Sequence, residues 1–382
     1  MASSVKAKVI HVFGVTGSIG QSAQDVILKH AERFDVHTVS ANENVEALAQ
    51  SAIALKARCA VINNKEYLER LQALLSEYDI EIKAGQEALL QAASTKADIT
   101  LAAIVGMAGL TVLWEALEFS DAVAIANKEP LVAAGPLIMA RAKEFGCKLL
   151  PVDSEHNAIF QVFDEVGRDQ IEKIILTASG GPFRGFTAEQ LKNVTAEQAV
   201  DHPNWSMGAK ISVDSATMMN KALEVVEAHY LFDMPPEQID VVLHPQSIVH
   251  SMVIYNDGSV LSQMGASDMR TPISNVLAWP ERLETPGERL DFTQALTLNF
   301  ERPDHETFPF IKLAYDCLKQ SVSKTLAMNA ANEIAVQAFL EKKISFLDIF
   351  NCVETIVEHE AKKELSCIGD VLSYDYDIRQ KA

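Results

Sequence analysis

A chain of 382 residues is longer than one hydrophobic core usually organises, so length alone asks for two or three domains with ample buried surface. Its 33 basic and 52 acidic residues give a formal charge of -19, which argues against a nucleic-acid footprint or docking on an anionic membrane and confines any phosphate site to a local positive pocket. No apolar run approaches a membrane span, Met1 to Lys6 leads into a strand rather than a signal-peptide core, and the five cysteines form no Cys-x-x-Cys pair, so a cytoplasmic protein with reduced thiols is expected.

From Lys8 to about Val152, short β-branched runs alternate with amphipathic stretches. Val9–Phe13, Val36–Ser40, Cys59–Ile62, Ile99–Ile104, Ala122–Ile125 and Lys148–Val152 read as buried parallel strands with helices between them. The class is therefore α/β, with an N-terminal Rossmann-like doubly wound parallel sheet over residues 1–152. The first strand runs into Gly14-Val15-Thr16-Gly17-Ser18-Ile19-Gly20, whose spaced glycines let backbone amides approach a pyrophosphate at a helix N-terminus. Thr16, Gly17, Ser18 and Ile19 are the candidate cofactor contacts there, with a ligand-free tight turn as the plain alternative. The second strand ends on Ser40, so no acid stands at the tip where one would favour NAD; this leaves room for NADP, although Glu43 lies close by and no Arg or Lys does. Asn42, Glu43 and Asn44 are the candidate ribose-side residues. Asn127-Lys128-Glu129 follows a later strand at its carboxyl end, where ligands collect in open α/β sheets.

The periodicity changes after Asp153. Asp153 and Glu155 follow the apolar pair Leu149-Leu150, and in an extended strand end both carboxylates would project to one side. Strands around Ile174–Thr177, Val241–His244, Val249–Tyr255 and Val260–Met264, the last two joined by Asn256-Asp257-Gly258, give a central α/β catalytic domain with a mixed sheet over 153–282. Between them, Met218 to Val226 is helical in pattern, which places Asn220 and Glu224 on one face with Lys221 beside them. Three hard oxygen ligands, Asp153, Glu155 and Glu224, would suit magnesium or manganese better than zinc. Glu224 and Glu227 read equally well as a solvated helix face, Asp214 as a cap or turn acid, and Met218 and Met219 as core. The loop Ser179-Gly180-Gly181-Pro182-Phe183 can present amides and a hydroxyl to phosphate, or be an ordinary turn. A segment rich in Pro, Glu and Thr, roughly Trp279 to Glu306, resembles a linker, assigned to 283–308. Phe310 to His359 is helical in pattern, so a C-terminal α-helical domain spans 309–382.

Taken together these segments resemble the 1-deoxy-D-xylulose 5-phosphate reductoisomerase family over nearly the whole chain. The resemblance rests on Thr16–Gly20, Ala126–Glu129, Leu149–Asn157, Ser179–Phe183, His202-Pro203-Asn204-Trp205-Ser206-Met207-Gly208, Ser212–Lys221 and His244-Pro245-Gln246-Ser247. It implies an NADPH- and divalent-metal-dependent enzyme of the non-mevalonate isoprenoid pathway. Such an enzyme rearranges the carbon skeleton of 1-deoxy-D-xylulose 5-phosphate and reduces the bound aldehyde to 2-C-methyl-D-erythritol 4-phosphate. By the same resemblance Asp153, Glu155 and Glu224 hold Mg2+ or Mn2+, and Lys128 and Ser154 touch substrate. Ser179, Ser215, Asn220 and Lys221 line the phosphate pocket, and His202 and Trp205 sit on a closing loop whose Met207 lies near the nicotinamide. Asn127, Glu129 and Gly208 join the cofactor residues, and a homodimer is implied. Val15 stands where the family commonly has a small Ser, and Glu43 where many members carry a basic or neutral residue. Two rivals are a simple Rossmann dehydrogenase, which does not need three acids around a metal, and a nucleotide-sensing protein, which would be expected to have lost an acid or Lys128.

Overall fold

The computed structural model describes residues 6–205 and 207–382; Met1–Val5, and Ser206 of the expected closing loop, lie outside the described residues. Contacts divide the chain into two compact units. The first runs to Asn127 and is completed by Ala140–Ser154 and Asp268–Glu288; the second comprises Lys128–Met139, Glu155–Ser267 and Arg289–Ala382.

Seven strands build the first unit: β1 (Lys8–Phe13), β2 (Phe34–Ala41), β3 (Cys59–Ile62), β4 (Glu81–Ala84), β5 (Ala97–Ala102), β6 (Ser120–Ile125) and β7 (Lys148–Pro151). They are parallel throughout and lie in the order β4-β3-β2-β1-β5-β6-β7. All four residues of β3 are buried, as a strand covered on both faces requires. Strand order reverses between β1 and β5, which sets the loops after these two strands at the topological switch point. The expected doubly wound sheet is present, with one further strand at its edge, β4.

Asp268–Glu288 belongs to this unit by its bonds: Lys8 Nζ donates to the carbonyl oxygens of Leu277, Ala278 and Trp279 at 3.3, 3.0 and 2.7 Å, closing the C-terminus of the Arg270–Ala278 helix. At the centre of β1, His11 is fully enclosed against His37, with ring centroids 5.1 Å apart, and edge-on to Phe13 at 5.9 Å. Neither His11 ring nitrogen has a hydrogen-bond partner among the described residues. Burial, with His37 adding to it, pushes the His11 pKa down to about 3.

The second unit carries β8 (Ile171–Ala178), β9 (Ile239–Leu243), β10 (Val249–Tyr255) and β11 (Val260–Met264) in the order β11-β10-β8-β9. β8 and β9 are parallel and the other pairs antiparallel, so the sheet is mixed, as the sequence indicates. Helices Ser154–Val162 and Met219–Leu231 are anchored to it by one buried cluster. Ile159 comes from the first helix, Val225 and Ala228 from the second, and Ile174, Leu176, Ile239 and Val253 from the strands. Each of the Val, Leu and Ile side chains among them contributes roughly 1.5–3 kcal/mol on burial, enough together to fix the two helices side by side.

Four more helices follow: Phe310–Leu318, Val322–Leu340, Phe346–His359 and Ile368–Lys381. Val322–Leu340 is buried around most of its circumference and forms their centre. From 283 to 308 the described residues form no helix and no named strand, and Glu301 makes an isolated bridge with Leu243.

Candidate active site

In the first unit the chain leaves β1 through Gly14, at φ +87°, where a Cβ would stand 2.4 Å from the Ala103 carbonyl oxygen. Only glycine permits that turn and that approach. Gly17 then caps the Ser18–Lys29 helix with no side-chain bond, so the amides of Thr16 to Ile19 sit at the positive end of a helix. Val15 is fully buried, so its side chain faces the core.

Ser40, at the end of β2, is turned toward the glycine loop. It is 1% exposed and its Oγ accepts from Gly14 N at 3.2 Å, pinning the glycine loop. β2 runs on to Ala41, and Asn42, Glu43 and Asn44 are exposed beyond it. Asn44 caps the Val45–Ala54 helix through Ala47 N at 3.2 Å, and Asn64 Nδ2 donates to Glu43 Oε1 at 3.4 Å. Asn127 Nδ2 donates to the Ile104 and Gly106 carbonyls at 2.6 and 2.8 Å, fixing the loop after β5. Its Oδ1 is buried without a hydrogen-bond partner among the described residues.

The acids expected to bind metal are arranged by two helices. β7 ends at Pro151 and a helix begins at Ser154, so Glu155 lies in a first helical turn instead of on an extended strand end. Asp153 precedes that helix at a position that favours Asp, which competes with strand continuation. Within the second unit, Glu155 and Glu224 each offer a carboxylate oxygen, within 4.8 Å of one another.

Glu224 is fully buried in Met219–Leu231; its Oε1 accepts from Asn220 Nδ2 at 2.6 Å and from Lys128 Nζ at 3.3 Å, and its Oε2 from Lys221 Nζ. Lys221 Nζ also reaches Glu155 Oε1 at 2.9 Å. Glu227 is 3% exposed, 3.9 Å from Lys128 Nζ and 3.7 Å from His156 Nδ1, while His156 Nε2 bonds the Glu224 carbonyl at 2.9 Å. The solvated-face reading of Glu224 and Glu227 therefore fails, because this helix face is turned inward. His156 and Glu227 are additions that spacing does not reveal, although both stand within three residues of a predicted ligand.

A second polar centre pairs Ser179 with His202, with the backbone of Ser215 packed on the same loop. His202 Nδ1 accepts from the backbone N–H groups of Trp205 at 3.0 Å and Asn204 at 3.2 Å, so its proton sits on Nε2 and is donated to Ser179 Oγ at 2.9 Å. Ser179 Oγ also accepts from Gly181 N at 3.1 Å. Burial holds the His202 pKa below its ordinary value, against an opposing pull from Glu155, which links this centre to the acids. Gly181 packs on Ser215, where a Cβ would stand 2.6 Å from the Ser215 carbonyl oxygen. Trp205 faces His250 with ring centroids 6.2 Å apart, and Asn204 Nδ2 donates to the Pro245 carbonyl at 2.7 Å and to Ser247 Oγ at 3.0 Å.

Gly208 caps the Ala209–Ala216 helix. Glu129, which opens Glu129–Phe145, pairs with Lys210 Nζ at 3.0 Å; burial favours its neutral form, but Lys210 outweighs this and holds its pKa below the usual range. Asp214 is neither a cap nor a turn acid: it is 1% exposed and lies 2.8 Å from Lys210 Nζ.

Models of 1-deoxy-D-xylulose 5-phosphate reductoisomerase match residues 10–135, its C-terminal domain matches 149–232, and a further DXP reductoisomerase C-terminal domain matches 264–381. The chain is 50% identical over 375 residues to 1-deoxy-D-xylulose 5-phosphate reductoisomerase of Zymomonas mobilis, covering 98% of this chain and 97% of the relative. The enzyme of that name from Chlorobaculum tepidum is 51% identical over 356 residues, 93% of each chain. Among solved structures, the Zymomonas mobilis enzyme in complex with NADPH superposes with a TM-score of 0.94 at 47% identity, covering 98% of both chains. A DOX-P reductoisomerase in complex with NADPH, fosmidomycin and magnesium gives 0.93 at 38% identity, covering 98% of this chain and 97% of the other.

Proposed function

The chain belongs to the 1-deoxy-D-xylulose 5-phosphate reductoisomerase family of NADPH-dependent enzymes, and on that premise we propose that it converts 1-deoxy-D-xylulose 5-phosphate to 2-C-methyl-D-erythritol 4-phosphate in the non-mevalonate isoprenoid pathway. The observation that carries this reading is the pair of carboxylates Glu155 and Glu224 with Lys128 and Lys221 beside them, to which the reading adds Asp153 as the third metal ligand. All-oxygen donors fit magnesium or manganese. Bound there, the cation supplies Lewis-acid polarisation of substrate oxygens, and the nicotinamide supplies the hydride.

The chain's own residues do the binding and orienting. Lys128 and Ser154 hold substrate oxygens beside the acids. Ser179, Ser215, Asn220 and Lys221 bind the phosphate, giving the local positive pocket that a chain of net charge -19 requires. Because Ser179 Oγ already accepts two N–H groups, its own proton is the one it can donate to a phosphate oxygen. His202 and Trp205, joined by the Nδ1 bond, close over the substrate and exclude water. Thr16 to Ile19, Asn42, Glu43, Asn44, Asn127, Glu129 and Gly208 are assigned to NADPH, the buried Asn127 Oδ1 offering an acceptor.

We assign a homodimer and a cytoplasmic location to the same reading. Its support is exposed apolar residues of the second unit, Val260 and Leu261 on edge strand β11 and Phe292 and Phe300 in its irregular segment after Arg289. Among the described residues no helix is long and apolar enough to cross a membrane.

The deciding experiment follows NADPH absorbance with 1-deoxy-D-xylulose 5-phosphate, with Mg2+ or Mn2+ present and then chelated. Cation-dependent oxidation that Glu224→Gln abolishes without unfolding supports the reading. A folded, cation-loaded sample that oxidises neither NADPH nor NADH overturns it.

A further inference from the structure

One ammonium in the second unit holds two buried acids, and neither acid belongs to the cluster described above. Lys210 lies in the first turn of Ala209–Ala216, directly after the His202–Gly208 segment. Its Nζ donates to Glu129 Oε1 at 3.0 Å and lies 2.8 Å from Asp214 Oδ2. Glu129 is 6% exposed and is the immediate neighbour of Lys128.

The chain of bonds continues away from the acids. Asp214 Oδ1 accepts from Asn332 Nδ2 at 2.8 Å, and Asn332 is fully buried in Val322–Leu340. The next residue, Glu333, accepts from Asn329 Nδ2 at 3.0 Å and from Arg379 Nη2 at 2.7 Å, and Arg379 Nε donates to Asp375 at 2.7 Å on the last helix. Burial opposes the Lys210 charge, yet Asp214, Glu129 and Glu333 together hold its pKa above the ordinary lysine range. A buried carboxylate that loses its cation keeps its desolvation cost and must move or protonate, so Glu129 and Asp214 both depend on this side chain.

We propose that Lys210 is a positioning residue: by gripping Glu129 and Asp214 at once, it fixes the residue that presents Lys128 and the C-terminal root of the His202–Gly208 loop. Asn332, Glu333 and Arg379 brace it from the C-terminal helices. The proposal rests on the reductoisomerase reading, which assigns Lys128 and the loop to substrate.

The test compares wild type, Lys210→Met, Lys210→Arg and Asp214→Asn by steady-state kinetics and by direct titration of Mn2+. Small displacements of substrate-holding groups cost about 10- to 100-fold, so Lys210→Met is expected to lower kcat/KM for 1-deoxy-D-xylulose 5-phosphate by that factor. Its Mn2+ Kd should stay within about twofold of wild type, since Lys210 pairs with Glu129 and Asp214 and with neither Glu155 nor Glu224. Lys210→Arg should recover most of the loss. If Lys210→Met does not fold, Asp214→Asn, which leaves the Glu129 pair in place, should show the same split at smaller size. Mn2+ affinity that falls in step with kcat/KM, or a kcat/KM that does not change, overturns the proposal. Wild type without cation-dependent NADPH oxidation would instead remove the functional reading beneath it.

Discussion

His11→Val removes the titratable ring at the centre of β1, and its effect on acid stability can be worked from the structure. In the folded protein the ring titrates at about 3, against about 6.5 in an unfolded chain. Below pH 6.5 the unfolded chain therefore takes up a proton that the folded protein refuses, so stability falls as pH falls and the loss stops growing near pH 3. At 1.36 kcal/mol per unit, His11 should cost about 2 kcal/mol between pH 7 and pH 5. Valine fits a strand, does not titrate and leaves no unpartnered nitrogen. Urea unfolding of both proteins at pH 7 and pH 5 gives the answer: the acid-induced loss should be about 2 kcal/mol smaller in the variant. His37, whose pKa is also lowered by burial, acts in the same direction but is common to both proteins. Equal losses in the two proteins, within about 0.5 kcal/mol, would refute the reasoning.

Cation binding to the folded protein alone should stabilise it by about 2.7 kcal/mol at a hundredfold excess over Kd, measured as a shift in urea midpoint that chelation reverses and that Glu224→Gln does not show. Lys221→Met removes an ammonium within 2.9 Å of Glu155 and, if the phosphate assignment holds, should raise KM for the phosphorylated substrate by about 10- to 100-fold, the worth of one charged hydrogen bond. Nitrogen NMR of ring-labelled protein at pH 7 should find His202 neutral with its proton on Nε2; an imidazolium signal would contradict both its burial and its two Nδ1 acceptor bonds.

The parallel sheet was legible because its strands are apolar runs buried on both faces, as Cys59–Ile62 shows. β4 escaped notice because Glu81-Ile82-Lys83-Ala84 lies at the sheet edge and offers no apolar run. The i,i+4 contact of Asn220 with Glu224 followed from helical spacing alone. Two-residue alternation places Asp153 and Glu155 on an extended end because it cannot show that Ser154 starts a helix. The inward turn of Glu227, its closeness to His156, and the pairing of Glu129 with Lys210 depend on how helices distant in sequence pack, which local patterns do not carry.

The grip of Lys8 on the Arg270–Ala278 helix has a bearing on how the protein is born. Its three carbonyl partners lie 269 to 271 residues further along the chain. At a ribosomal pace of about 5–20 residues per second, the first strand waits roughly 15–55 s before those partners are synthesised. The glycine loop and parallel strands emerge early, but their unit is closed only by Asp268–Glu288, after most of the second unit has been made. The N-terminal unit is thus completed late, by a segment made after more than half of its neighbour.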